Sequence, residues 1–300
     1  MAVLVPSGLP AVEALSCEGV RTVTTTGFKA SLRIGVLNLM PLKINAETDL
    51  IRLLASSPLP VEIALFEPAT HTSKSTPAEH LRRFYNKFSS VGAGEFDGFI
   101  ITGAPVEKIA FEDVDYWQEL CAIMDMLKRY VRSTLYICWA AFAGLYHHYA
   151  IDKKLFDKKF SGVFAHSVTT PCRLTDGFDD EFYVPHSRFV GFDRSEVASH
   201  PQLCIVAESA ESGIYIIGEK GGRDFFITGH SEYAPMTLDS EYRRDVAKAL
   251  DPAVPCNYYV DDNPANAPAV RWRSHARLLF NNWLNHYVSP DAVCGVVTRS

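Results

Sequence analysis

The chain has 300 residues, of which 47% are apolar and 12% aromatic, enough for a sizeable core and too many for a disordered protein. Its formal net charge is −6 and it has no basic stripe, which argues against nucleic acid as a partner. No apolar run reaches the ~18 residues of a membrane helix, and the start of the chain lacks the basic region of a signal peptide. These features predict a cytoplasmic protein with no membrane partner.

The first half of the chain alternates between strand and helix patterns. A polar, proline-containing lead-in is expected over residues 1–30, packed on the surface, and a single domain over residues 31–300. Strands are predicted at 33–40, 61–66, 97–102 and 134–137, and helices at 45–57, 77–89, 115–131 and after Cys138. This alternation predicts right-handed βαβ units and a parallel sheet covered on both faces.

The pattern changes after about residue 152. Residues 163–220 are rich in strand and turn signals, with strands expected near Val184 and at 203–207 and 214–218. A further strand is expected at 225–228 and helices at 237–250 and 272–287, with an irregular proline-rich segment between these helices. The predicted fold class is therefore α/β, a single doubly wound, mostly parallel sheet with helices on both faces and an antiparallel extension.

Cys138 lies where a buried strand meets a helix, in the segment TLYICWAAFAGLYHHY. A thiol on such a turn projects from the sheet, and the free N–H groups and positive dipole end of the following helix point at it. Both effects favour the thiolate, which is the nucleophilic form of cysteine. The same N–H groups can hold a developing oxyanion. The pattern predicts a catalytic cysteine.

A base for this nucleophile is expected at His230, which follows the strand at 225–228 and precedes Glu232 by two residues. A cysteine, a histidine and a carboxylate form the nucleophile, base and orienting group of covalent catalysis. Because active sites of open α/β sheets lie at the carboxyl ends of the strands, the Gly-Ala-Pro segment at 103–105 is expected near the thiol. Each residue alone is common in a core or on a surface, so the inference depends on the combination.

Metal and nucleotide motifs are not found in the sequence. The seven cysteines are odd in number and form no C-x-x-C pair, which argues against a disulfide framework and a structural zinc site. His147 and His148 are adjacent on a predicted helix and are expected to face different directions. No G-x-G-x-x-G or Walker loop is present. Neither a metal nor a cofactor is therefore expected. The cysteines are Cys17, Cys121, Cys138, Cys172, Cys204, Cys256 and Cys294.

Several long and unusual segments support a closer comparison. They run from about residue 30 to 288 and are NLMPLKINAETDLIRLL, HTSKSTPAEHL, FDGFIITGAPVEKIAFEDVDYW, YICWAA, KFSGVFAH, FDDEFYVPHSR, GHSEY and WRSHARLLFNNWLNHYV. On these segments the chain resembles the homoserine O-acyltransferases of methionine biosynthesis. The resemblance covers nearly the whole chain and implies a fold like that of class I glutamine amidotransferases.

The resemblance also implies roles for individual residues. Cys138 would carry the acyl group, His230 would be the general base and Glu232 would orient it. An acyl-CoA and L-homoserine would be the substrates, and the reaction would be a ping-pong transfer through an acyl-cysteine. An arginine suits the homoserine carboxylate because its planar fork binds carboxylates in bidentate fashion. Substrate contacts are implied at Lys159, Ser187 and Arg244.

The acyl donor is predicted from Glu107, in GAPVEKIAF. In the family that the chain resembles, glycine at this position accompanies succinyl-CoA and glutamate accompanies acetyl-CoA. A buried glutamate would fill the space of a longer acyl chain and repel its carboxylate, so acetyl transfer is predicted. One departure from the family pattern is Ser231, where a proline is usual. Because proline stiffens the backbone, the position of Glu232 is expected to be less restrained here.

Three alternatives remain open at this point. In the first, the acyl donor is succinyl-CoA or the acceptor is serine. In the second, the chain is a hydrolase of the glutamine amidotransferase type. In the third, it is a binding protein with a vestigial site. Bulky residues on both sides of Cys138 argue against the hydrolase, whose nucleophile is commonly flanked by glycines. The sequence leaves the oligomeric state open, a homodimer included.

Overall fold

The fold is known from a computed structural model, which describes residues 3–24, 27, 30–73, 75–92 and 94–289. The strands within these residues are β1 Val3–Leu4, β2 Thr22–Val23, β3 Leu32–Leu37, β4 Val61–Glu67, β5 Tyr85–Lys87, β6 Gly98–Ile101, β7 Ser133–Ile137, β8 Lys154–Val168, β9 Phe182–Gly191, β10 Leu203–Ser209, β11 Gly213–Glu219 and β12 Asp224–Ile227. The α-helices are α1 Pro10–Cys17, α2 Lys43–Leu54, α3 Ala78–Phe84, α4 Trp117–Tyr130, α5 Trp139–Tyr149, α6 Arg194–Ser199, α7 Thr237–Ala247 and α8 Arg273–Trp283.

All of these strands belong to one mixed sheet. Its order is β2-β1-β4-β3-β6-β7-β12-β11-β10-β8-β9, with β5 added beside β4. Pairing is parallel from β2 to β12 and antiparallel from β12 to β9. The predicted fold class, a mostly parallel sheet with an antiparallel extension, is confirmed.

Alternating side chains of the central strands build two cores. On one face, Ile137 and Ile227 pack in a cluster that includes residues of α2 and α8. On the other face, Tyr136 and Phe226 stack with ring centroids 4.8 Å apart, beneath α4 and α5. Burial on both faces explains why these strands read as continuous apolar runs in the sequence. No helix among the described residues is long and apolar enough to cross a membrane.

The register of the central strands brings their carboxyl ends together. Ile227 of β12 is paired with Ile137 of β7, and Ile101 of β6 is paired with Tyr136. The residues that follow these strands therefore meet at one edge of the sheet. Among them are Cys138 after β7 and the Gly229-His230 segment after β12.

The first residues differ from the surface lead-in that the sequence predicts. β1 and β2 extend the parallel sheet beyond β4, and α1 packs against α2. Val3 and Leu15 are completely buried. The sequence does not predict β1 and β2, because strands of two residues are too short to show a periodic pattern.

Smaller differences occur at helix ends. The helix predicted at 77–89 is the shorter α3, after which the chain forms β5. The helix predicted at 272–287 is α8, which continues into a wider turn over Leu284–Val288. The six cysteines in the described part of the chain are free thiols, and Cys294 lies outside the described residues.

A buried acidic cluster lies at the opposite end of the sheet from Cys138. Lys128 approaches Glu219 at 3.1 Å and Asp224 at 3.8 Å. One oxygen of each carboxylate and the hydroxyl of Tyr136 lack a hydrogen-bond partner in the part of the chain that the structure describes. Burial, together with the nearby charge of Glu219, raises the pKa of Asp224 to about 7, against the opposing charge of Lys128.

This cluster predicts a pH-dependent stability. Because the pKa of Asp224 is raised above its unfolded value of about 4, the folded state binds the extra proton between about pH 4 and pH 7. Its contribution to stability therefore falls as the pH rises through this range, by at most about 4 kcal/mol. Asp224→Asn should abolish this fall, measured by urea unfolding at pH 5 and pH 8. Asp157→Asn, at an exposed position of β8, is the control and should leave it unchanged.

Candidate active site

Cys138 occupies a sharp turn between β7 and α5. Its backbone has φ 53° and ψ −120°, a conformation that residues with a side chain rarely adopt. The turn is held by a hydrogen bond of 2.7 Å from the Cys138 N–H to the carbonyl of Ile227. The side chain of Cys138 makes no capping hydrogen bond among the described residues, so the first N–H groups of α5 can face the sulfur. This is the strained turn that presents a nucleophile at the edge of an α/β sheet.

His230 and Glu232 stand where the sequence predicts a base and its orienting group. Nδ1 of His230 lies 2.6 Å from Oε1 of Glu232, and the ring is 4.1 Å from the ring of Tyr233, stacked on it. Burial would lower the pKa of His230. However, the negative charge of Cys138, the charge of Glu232 and hydrogen bonds to both side chains raise it well above the usual value. These interactions thus favour the protonated form of His230.

Two glycines allow the close contacts at this site. A Cβ on Gly103 would lie 3.0 Å from the Cβ of Cys138 and 3.5 Å from its sulfur. A Cβ on Gly229 would lie 2.9 Å from the ring of His186. Any larger residue would push the loops after β6 and β12 away from the nucleophile. The structure thus brings the Gly103 segment to the thiol, as the sequence analysis expected.

Arg188 of β9 supplies a buried positive charge that the sequence analysis missed. It is 2% exposed and donates to two backbone carbonyls and to Nδ1 of His186. Burial lowers the pKa of Arg188 to about 10, against the negative charges of Cys138 and Glu107. Since this value is far above neutral pH, Arg188 is a permanent cation within electrostatic range of Cys138 and Glu107.

Two buried histidines support this arginine without adding charge. Because Arg188 donates to Nδ1 of His186, the proton of His186 sits on Nε2 and is donated to Nε2 of His166 at 3.1 Å. His166 in turn donates from Nδ1 to the carbonyl of Phe164. Burial lowers the pKa of His166 to about 4 and that of His186 well below its usual value. Both rings are therefore neutral near pH 7.

Glu107 lies within electrostatic range of the catalytic pair. Burial raises the pKa of its carboxyl, which the N–H of Phe189 and the positive charges of His230 and Lys159 oppose. Its Oε1 is buried and has no hydrogen-bond partner within the described chain. Glu107 is half-buried in a turn whose neighbours Pro105 and Lys108 are exposed, so one oxygen of its carboxyl is enclosed while the residue remains partly accessible.

The three residues with implied substrate contacts belong to one hydrogen-bond network. Lys159 lies 3.1 Å from carboxylate oxygens of both Glu241 and Asp245. Ser187 donates to Glu241, and Arg244 pairs with Asp245 at 2.7 Å. The structure thus brings Lys159, Ser187 and Arg244 together although they come from β8, β9 and α7.

Glu241 connects this network to His230. Its Oε1 accepts a hydrogen bond of 2.8 Å from the hydroxyl of Tyr233, whose ring stacks on His230. The lysine and the hydrogen bonds of Ser187 and Tyr233 lower the pKa of Glu241, although burial opposes them. Glu241 was not predicted from the sequence, because its partners Lys159, Ser187 and Tyr233 lie on other elements.

The replacement of proline by Ser231 suggested a less restrained loop, but the structure shows that the loop is held by other contacts. Its hydroxyl lies 2.5 Å from the hydroxyl of the buried Tyr215. The N–H of His230 also donates to the carbonyl of Pro185 at 2.8 Å. Contacts to β11 and β9 therefore restrain the His230 loop without a proline.

The expected orientation of His147 and His148 is not met. Both lie on the last turn of α5, yet their ring centroids are 4.7 Å apart. Asp125 approaches both rings from α4, a contact that the sequence could not show because it joins two helices. These three side chains are the group in the described chain that can hold a metal ion.

An open cleft leads to His230 and Glu232. Its volume is about 680 Å³, within the range of small-molecule sites, and it extends outward between α1, α2 and α7. Gly103 and His230, which both contact Cys138, lie on its wall. Glu241 and Arg244 also line the cleft, so the network described above faces the same space.

The mixed sheet and the Cys-His-Glu arrangement define a protein with the class I glutamine amidotransferase-like fold. A glutamine amidotransferase of Thermotoga maritima superposes with a TM-score of 0.55 at 12% identity, over 85% of this chain and 98% of that one. A second, from Methylobacillus flagellatus, has a TM-score of 0.52 at 12% identity, over 84% and 93%. At this identity the likeness concerns the fold alone.

Sequence comparison identifies the family. The homoserine O-succinyltransferase family profile matches residues 2–293, and the chain belongs to this family. A relative named homoserine O-acetyltransferase, from Bacteroides fragilis, is 51% identical over 95% of each chain. Another of that name, from Desulfitobacterium hafniense, is 50% identical over 97% of this chain and 96% of the relative. The resemblance seen in the sequence is confirmed.

Proposed function

We propose that the protein transfers an acetyl group from acetyl-CoA to the hydroxyl of L-homoserine, through an acyl-enzyme on Cys138. The observation that carries this proposal is the contact of the buried Cys138 with His230 and of His230 with Glu232, where His230 and Glu232 line an open cleft. The names of the relatives at about 50% identity support the acetyl group, whereas the family description names succinyl transfer. The donor therefore has to be argued from Glu107.

The first half-reaction forms the acyl-enzyme. The thiolate of Cys138 attacks the thioester carbonyl, and the oxygen of the tetrahedral intermediate is stabilised by free N–H groups at the start of α5. The carbon–sulfur bond to CoA then breaks, and the leaving thiolate takes the proton from the imidazolium of His230. In this mechanism the positive charge of Arg188 stabilises the attacking sulfur, and Glu232 stabilises the imidazolium of His230.

The second half-reaction transfers the acetyl group to homoserine. Neutral His230 removes the proton from the homoserine hydroxyl as its oxygen attacks the acyl-cysteine. The carbon–sulfur bond breaks, and the sulfur leaves as the thiolate beside the newly formed imidazolium. Glu232 accepts a hydrogen bond from Nδ1 of the ring and keeps Nε2 directed at the reacting atoms.

Homoserine would be held by the network around Glu241. Its carboxylate suits Arg244 and Lys159, and its ammonium suits the carboxylate of Glu241, which stays ionised because its pKa is lowered. Ser187 can contribute a further hydrogen bond. The contacts of Tyr233 with both Glu241 and His230 support amino-acid binding close to the base.

Glu107 is the basis for choosing acetyl over succinyl. The carboxylate of a succinyl group would meet a second carboxyl group in a partly desolvated space, at a cost of several kcal/mol. An acetyl group has no charge and is shorter. Glu107→Gly should therefore raise kcat/KM for succinyl-CoA by about tenfold or more and lower that for acetyl-CoA.

The test is a matrix of acetyl-CoA and succinyl-CoA against homoserine and serine, for the native protein and Glu107→Gly, with release of free CoA thiol as the readout. Glu112→Gln, an exposed carboxylate on the same loop, is the matched control. An unchanged donor preference in Glu107→Gly would refute the steric and electrostatic argument. Glutaminase activity without CoA release would favour a hydrolase instead.

Two further expectations accompany this function. We expect the protein to act in the cytoplasm, in line with its composition. We also expect that the protein can form a homodimer, which sedimentation would measure. An active monomer would contradict that expectation.

A further inference from the structure

Asp125, His147 and His148 form a compact group near the C-terminal end of α5, and their side chains are of types that bind metal ions. Nε2 of His147 is 2.8 Å from Oδ1 of Asp125, and Nδ1 of His148 is 4.0 Å from the same oxygen. One ligand atom from each residue lies within 4.8 Å of the other two. Ligands about 2.0–2.2 Å from one ion are separated by roughly 3–4 Å, so small side-chain movements suffice to converge on a metal.

We propose that Asp125, His147 and His148 bind a divalent transition-metal ion such as Zn²⁺. Two imidazoles and one carboxylate suit Zn²⁺, Co²⁺ or Ni²⁺, whereas Mg²⁺ and Ca²⁺ prefer all-oxygen sites. Asp125 is 65% exposed, so water can fill the remaining coordination positions. The site joins α4 to the C-terminal turn of α5.

The imidazoles are held in place before any ion binds. The ring of His147 makes an edge contact with Trp117, and the ring of His148 makes one with Tyr136. Each contact has a centroid separation of 6.4 Å. Because the rings already have fixed neighbours, less side-chain freedom is lost on binding than at a site of mobile surface residues.

One positive charge lies near this group. The ammonium of Lys128 is the nearby cation that would oppose a metal, but it is bound to the hydroxyl of Tyr149 at 2.9 Å and to Glu219.

The test is calorimetric titration of the full chain with Zn²⁺, together with visible absorption after Co²⁺ addition. One saturable site per chain is expected. Asp125→Asn, His147→Gln and His148→Gln should each weaken binding by about tenfold or more. His71→Gln is the matched control, because His71 and Asp115 form an ion pair of 2.7 Å on the surface. That pair is not part of a three-ligand group among the described residues.

The Co²⁺ spectrum separates this site from the cysteines. Nitrogen and oxygen ligands give weak visible bands, whereas a thiolate adds an intense sulfur-to-metal band. Such a band, lost in a Cys121→Ser or Cys138→Ser variant, would overturn the proposal. So would equal Zn²⁺ affinity in the His147→Gln variant and the native protein, or no saturable binding at all. Thermal unfolding in EDTA checks that the variants are folded.

Discussion

Cys138→Ala should lower the rate of acetyl transfer by about 10⁴-fold or more, because the reaction loses its nucleophile. Incubation of the native protein with acetyl-CoA alone should add one acetyl group, detected by intact mass, and the variant should gain none. Alanine has the same difficulty as cysteine at φ 53°, so the fold should be kept. Cys204→Ala, at a half-buried cysteine of β10, is the control and should retain both activity and labelling.

The same variant reports on the charge of the base. The negative charge of Cys138 is the largest of the effects that raise the pKa of His230, so its removal should lower that pKa. Titration of the imidazole by NMR in the native and variant proteins measures the change. Normal turnover in Cys138→Ala, or an acetyl group found on another residue, would contradict a covalent mechanism at this sulfur.

Glu241→Gln should lower kcat/KM for homoserine by about 10- to 100-fold. Hydrogen bonds to charged groups contribute about 1.5–3 kcal/mol, and the variant weakens those from Lys159, Ser187 and Tyr233. The acylation of Cys138 by acetyl-CoA should keep its rate, because it does not require the amino acid. Steady-state kinetics for homoserine and rapid-mixing measurement of acylation separate these two effects.

A matched variant controls for loss of stability. Asp239→Asn removes another carboxylate of α7, one that pairs with Arg243 and accepts a hydrogen bond from Tyr259, outside the homoserine network. It should leave the KM for homoserine unchanged. Equal losses in both variants, or slower acylation in Glu241→Gln, would assign Glu241 a structural rather than a substrate-positioning role.

The parallel half of the fold could be predicted because each strand there is a short apolar run between helical patterns. The antiparallel extension was also expected, but β8 begins at Lys154, in a basic segment without apolar periodicity. The N-terminal strands were missed since two residues carry no pattern. Local sequence is therefore informative where burial is continuous and uninformative where pairing alone defines a strand.

The close approach of Cys138 and His230 was easier to predict than the contacts around them. Cys138 and His230 follow strands, and topology places such residues at one edge of the sheet. Glu241 and Arg188 act through partners on other elements, so no sequence spacing shows their contacts. The grouping of His147 with Asp125 was missed for the same reason. Ion pairs between distant segments depend on the fold, so the local sequence does not predict them.

The participation of α1 in the cleft has a practical consequence. Pro10, Ala14 and Glu18 line the space that leads to Gly103 and His230, and Glu18 is paired with Arg52 of α2 at 2.6 Å. A truncated protein that lacks α1 would thus lose one wall of the cleft, and bulk solvent would enter it. Water would then hydrolyse the proposed acyl-cysteine before the acceptor binds.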